Sequence, residues 1–127
     1  MAQDLISSKD INAFQKDGVI FIKGLLNNFV DQIRQGIEKN LSEPGEYAAE
    51  NLNHNQDGRF FDDYCNWERI VEFKNTIFKS SVGKVAAQLM RSKNVQLFHE
   101  HVLVKEPGTT KATPWHQDSP YYFVEGS

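Results

Sequence analysis

The feature that most narrows the fold is a change of hydrophobic period near residue 94. Before it, Val82, Val85, Ala86, Leu89 and Met90 recur at intervals of three and four. That spacing lays one apolar stripe along a helix, and the simplest use of the stripe is core packing. After it, the chain from Val95 to Glu106 is rich in Val, Leu and Phe without a break and reads as a long strand. A chain that is helical first and β last has an α+β order, with its helices packed on its strands.

The rest of the chain fits that order. Ser7 or Ser8 is placed to cap a short helix through Asp17, with Ile11 and Phe14 on one side and Gly18 as its stop. Val19-Ile20-Phe21-Ile22 is a continuous apolar run, too short for a buried helix and suited to a buried strand. A second helix is expected from about Asn28, with Val30, Ile33, Ile37 and Leu41 on one stripe, broken at Pro44-Gly45. Residues 42 to 63 are polar and unpatterned and are read as a loop, either a candidate lid or a disordered insertion, with His54 as a solvated loop residue. A third helix is expected near Asn66, with Trp67, Ile70 and Val71 at helical spacing, and a fourth after Ser80 or Ser81. Pro107 to Pro114 reads as a loop, and Trp115 to Val124 as extended again. The expected organisation is therefore one domain over 1–127, mainly helical over 1–94 and β over 95–127.

Composition excludes several partners. Net charge is −3, which leaves no electrostatic footprint for nucleic acid or an anionic membrane. No apolar segment is long enough to span a bilayer, and the first residues carry no basic run, so neither a signal peptide nor a membrane helix is expected. The single cysteine, Cys65, forms no intrachain disulfide, which points to a reducing cytoplasm. With no basic neighbour in sequence it is expected as a half-buried thiol rather than a nucleophile.

The chemistry-bearing residues lie in the β part. His116-x-Asp118 places an imidazole and a carboxylate on one side of an extended segment, where both can hold one metal ion. Chance alone supplies such a pair in about one chain in four of this composition, so its surroundings matter. Thr113-Pro114 enforces an extended entry, Trp115 offers an apolar wall, and Tyr121 and Tyr122 are bulky enough to line a pocket. On the preceding strand, period two puts His99, His101 and Lys105 on one face. Two imidazoles and an ammonium are costly to bury, so that face lines either a wet pocket or solvent. The ammonium suits the carboxylate of a bound acid. A rival metal set uses the same strand: His99, His101 and Glu106 resemble the first cupin motif, although Lys93 and Thr113 stand where that motif has glycines.

Two stretches, Phe98-His99-x-His101-Val102-Leu103-Val104-Lys105-x-Pro107-Gly108 and Pro114-Trp115-His116-Gln117-Asp118-x-Pro120-Tyr121-Tyr122, resemble the phytanoyl-CoA dioxygenase family. The opening from Asp17 to Leu26 is similar to that family's N-terminal segment. The resemblance implies a double-stranded β-helix (jelly-roll) enzyme using Fe(II), 2-oxoglutarate and O₂ to hydroxylate a small-molecule C–H bond. It implies His116 and Asp118 as iron ligands. In some members a Lys eleven residues before the first ligand His binds 2-oxoglutarate, and Lys105 stands at that spacing. His99, His101, Trp115, Tyr121 and Tyr122 would then border the substrate. The family's distal His and 2-oxoglutarate-binding Arg lie many tens of residues beyond the motif, whereas nine residues follow Asp118 here. The expectation is an incomplete jelly-roll, inactive alone and prone to self-association through open sheet edges. The alternative is a non-catalytic module that binds a ligand or partner.

Overall fold

The computed structural model describes residues 6–51 and 58–122. Among them are four α-helices, α1 (Ser8–Asp17), α2 (Val30–Ser42), α3 (Val71–Lys79) and α4 (Val82–Leu89), and three strands, β1 (Ala49–Glu50), β2 (Phe60–Tyr64) and β3 (His101–Lys105).

Both ends of α1 are set by the residues that the sequence singled out. Ser7 Oγ accepts from the Asp10 amide at 3.2 Å while the Asp10 carboxylate accepts from the Ser7 amide at 3.1 Å, a reciprocal capping box. Gly18 ends the helix at φ 73°, and its amide donates to the Phe14 carbonyl. The run Val19–Ile22, expected as a strand, has no strand partner among the described residues. Ile20 and Ile22 pack with Ile11, Phe14 and Leu25 on a core of Ile6, Val85 and Leu89, while Val19 and Phe21 face outward. An extended segment without a neighbour buries only alternate side chains.

Helix α2 follows a 3-10 turn at Asn27–Phe29 and packs on α3 at Gly36. A Cβ there would lie 2.5 Å from Phe73 Cε1, so only glycine permits the approach. Gln32 Nε2 donates across the same seam to Thr76 Oγ1 at 2.8 Å, and Lys39 pairs with Glu72.

The strands form one antiparallel sheet in the order β1-β2-β3. Phe60, Asp62 and Tyr64 stand opposite Lys105, Leu103 and His101. Directly opposed residues share a face. The other face, with Val102 and Val104, packs on Ile70, Phe73, Ile37 and Trp67.

Four expectations are corrected here. The stretch 42–63 is not a lid, because it carries β1 and most of β2, the central strand. Residues 52–57, His54 included, lie outside the described residues. Helix α3 starts at Val71 rather than near Asn66, because Glu100 takes the Asn66 and Trp67 amides and holds a turn there. The long strand 95–106 shortens to β3, since its partner β2 ends at Tyr64 and Cys65 turns away at φ 63°. Trp115 to Tyr122 forms no strand, only a 3-10 turn at Ser119–Tyr121, and residues 123 and 124 lie outside the described residues. The described residues thus form mixed helix and open antiparallel sheet, and they do not close into a jelly-roll.

Candidate metal and substrate site

The sheet face turned away from the helices gathers rings. Tyr64 is the hub: it stacks on Tyr47 at 4.7 Å between centroids and meets His99 at 5.6 Å and His101 at 5.5 Å. Tyr122 returns to the start of β3 and packs on His99 at 5.3 Å and on Phe98 at 5.3 Å. Asp62 lies between the strands of this face, accepting from Asn51 and standing 3.2 Å from His101 Nε2. Three residues expected at the pocket, His99, His101 and Tyr122, are therefore brought together. Asp62, Tyr64 and Tyr47 belong with them and were missed. The alternation Phe60-x-Asp62-x-Tyr64 was the signal that would have found the first two.

Lys105 shares the face but not the cluster. Four residues along a strand from His101, it stands about 13 Å away. Its ammonium lies 5.2 Å over the Phe60 ring and donates to the Lys111 carbonyl, tying down the loop after β3. It forms no ion pair among the described residues, so its charge is open to a carboxylate. Trp115 is fully exposed and joins no ring cluster among the described residues, which does not match a pocket wall.

His116 and Asp118 do converge. His116 Nε2 stands 3.3 Å from Asp118 Oδ1, with Nδ1 2.8 Å from the Pro114 carbonyl oxygen. Tyr121 sets its ring edge-on to the imidazole at 6.2 Å, and the Tyr121 amide closes a turn onto the Asp118 carbonyl at 2.8 Å. An imidazole and a carboxylate are a donor set that first-row divalent metals accept. For metal bonds of about 2.1 Å, neighbouring donors at a right angle stand about 3 Å apart, so the separation of the pair is close to that of two donors sharing one ion. Among the described residues no group of three His, Cys, Asp or Glu is placed to hold a metal ion. The third donor is therefore not among them, and His99, His101 and Glu106 do not assemble the cupin-type set either.

Cys65 is exposed rather than half-buried. Local desolvation, then the negative charges of Glu100 and Asp63, raise its thiol pKa, which keeps it a weak nucleophile.

The arrangement defines a class: a mixed helix–sheet protein with an imidazole- and phenol-lined open face and a separate His-x-Asp donor pair in the loop that follows it. The model of the phytanoyl-CoA dioxygenase (PhyH) family matches residues 14–126, and the chain belongs to that family. No curated protein and no solved structure matches it. The family points to dioxygenase-type chemistry, and its members are in general Fe(II)- and 2-oxoglutarate-dependent. No helix among the described residues is long and apolar enough to cross a membrane.

Proposed function

We propose that this chain supplies the first two iron ligands of an Fe(II)/2-oxoglutarate-dependent dioxygenase that hydroxylates a C–H bond of a small molecule. The observation that carries the reading is the convergence of His116 Nε2 and Asp118 Oδ1 to 3.3 Å within the family's motif. An Fe(II) ion held there would supply the chemistry by which O₂ oxidises 2-oxoglutarate to succinate and CO₂ and gives its other oxygen atom to the substrate as hydroxyl. The chain's own residues bind and orient. His116 and Asp118 would hold the ion. Lys105 offers its ammonium to a 2-oxoglutarate carboxylate. His99, His101, Tyr64 and Tyr122 shape the substrate side and limit water.

A longer chain that supplies a third donor should show a weak visible charge-transfer band when Fe(II) and 2-oxoglutarate are added under argon. His116→Ala should abolish it, and a band that survives that change overturns the assignment. Because no third donor joins the pair among the described residues, the 127-residue chain should form no succinate above background.

The reading extends to setting and assembly. Cys65 suits a reducing, cytoplasmic compartment. Among the described residues the outer edge of β3 is unpaired, for which we propose self-association, read out as a larger species in gel filtration.

A further inference from the structure

The two donors are not held alike, and the difference concerns a proton. His116 Nδ1 lies 2.8 Å from the Pro114 carbonyl oxygen. A carbonyl only accepts, so this contact is a hydrogen bond only when Nδ1 carries the proton. In a neutral imidazole Nε2 then bears the lone pair. Nε2 stands 3.3 Å from Asp118 Oδ1. A cation bound at Nε2 would also meet the negative charge of the Asp118 carboxylate. The other neutral tautomer carries its proton on Nε2 and gives up the Pro114 hydrogen bond, and an imidazolium keeps that bond but offers no lone pair to a metal.

We propose that the Pro114 carbonyl is a positioning group that holds His116 as the Nδ1–H tautomer before any metal arrives, so that Nε2 is presented to the metal. Proline narrows its own backbone and keeps Thr113 extended, which limits the directions this carbonyl takes. The backbone at Asp118 is held separately, by the turn that the Tyr121 amide closes onto its carbonyl. A metal-bound His commonly gives its second N–H to such an acceptor, and loss of the acceptor costs about 10- to 100-fold in metal affinity. The purpose of the device rests on the iron reading above; its measurement does not.

The test is the ¹⁵N spectrum of the imidazoles in the metal-free 127-residue chain, recorded in mildly alkaline buffer. His116 should show a protonated-type Nδ1 and an unprotonated-type Nε2. Asp118→Ala removes the competing acceptor and should leave that pattern in place. Pro114→Gly, in the Asp118→Ala background, should shift it toward the Nε2–H form that histidine adopts in water. With Asp118 retained, Pro114→Gly should weaken Zn(II) binding, followed on the same signal, by about 10-fold or more. These residues are exposed and outside the helices and strands, so the rest of the spectrum reports an unchanged fold. A dominant Nε2–H form in the unsubstituted chain, or a tautomer indifferent to Pro114→Gly, overturns the proposal. An Nδ1–H form in a chain that ignores Zn(II) supports the positioning role and counts against the iron reading alone.

Discussion

Strand β2 carries two adjacent aspartates that face opposite ways. Asp63 points to the helices and is fully buried. Its carboxylate accepts from Asn40 Nδ2 at 2.7 Å, the Gly45 amide at 2.7 Å and the Tyr64 amide at 2.9 Å, with the Arg69 guanidinium 3.9 Å away. Asp62 points to the open face, half-buried, between Asn51 and His101. One step along a strand, the same side chain changes from a structural clasp to a neighbour of the candidate substrate site. Side-chain alternation in β2 separates stability from chemistry, and variants on the two faces should separate in what they damage.

The largest loss is expected at Asp63. Asp63→Ala strands the Asn40, Gly45 and Tyr64 donors in a site closed to water and should cost about 3–5 kcal/mol, read as a lower urea midpoint. The same residue predicts an acid limb. Burial pushes its pKa up, but the bonds from Gly45, Asn40, Asn66 and Tyr64 together hold it below the ordinary 3.8. A carboxylate whose folded pKa is depressed contributes stability above the unfolded value and loses it as pH falls through the folded one. The unsubstituted chain should therefore weaken below about pH 4, and Asp63→Asn should flatten that fall. A limb of unchanged slope would mean that another carboxylate, such as Glu72 beside Lys39, governs it. Next in size is Gly36→Ala, at the α2–α3 seam. The new Cβ would meet Phe73 at 2.5 Å, and such overpacking costs about 1–3 kcal/mol. An unchanged midpoint would show that the helices slide apart freely, which would loosen the distinction between a rigid and an adaptable face.

What was legible in the sequence follows the same division between local and distant causes. The caps of α1 were readable because Ser7 and Gly18 act within one turn of the helix that they bound, while the return bond from Asp10 was not read. The stripe of α4 was readable because the core takes Val85 and Leu89 at helical spacing. The shared face of His101 and Lys105 followed from period two alone. Strand β2 was hidden because one of its buried positions is an aspartate, whose partners Asn40, Gly45 and Arg69 come from other segments. Val19–Ile22 looked like a strand because apolar runs describe burial, while pairing depends on a neighbour that the run does not encode. Trp115 shows the same limit at the candidate site: its place in the motif implied a wall, and its surroundings leave it exposed.

The smallest effect on stability is expected on the open face. Asp62→Asn keeps the shape but leaves one oxygen for two donors, the Asn51 amide and His101 Nε2. A partly exposed pair of this kind contributes under about 1 kcal/mol, so the urea midpoint should move little. The imidazole should register the change instead. The carboxylate is a charge-assisted acceptor for the Nε2 proton, and an amide oxygen is a weaker one, so the His101 ¹⁵N pattern should shift toward a mixture of tautomers while the Asp63 face stays intact. Tyr64, 5.5 Å from the same ring, offers a second readout in its ring-proton shifts. If Asp62→Asn instead unfolded the chain as readily as Asp63→Ala, Asp62 would be a second clasp. The open face would then be part of the scaffold, and the ring cluster on it would lose its standing as the substrate side.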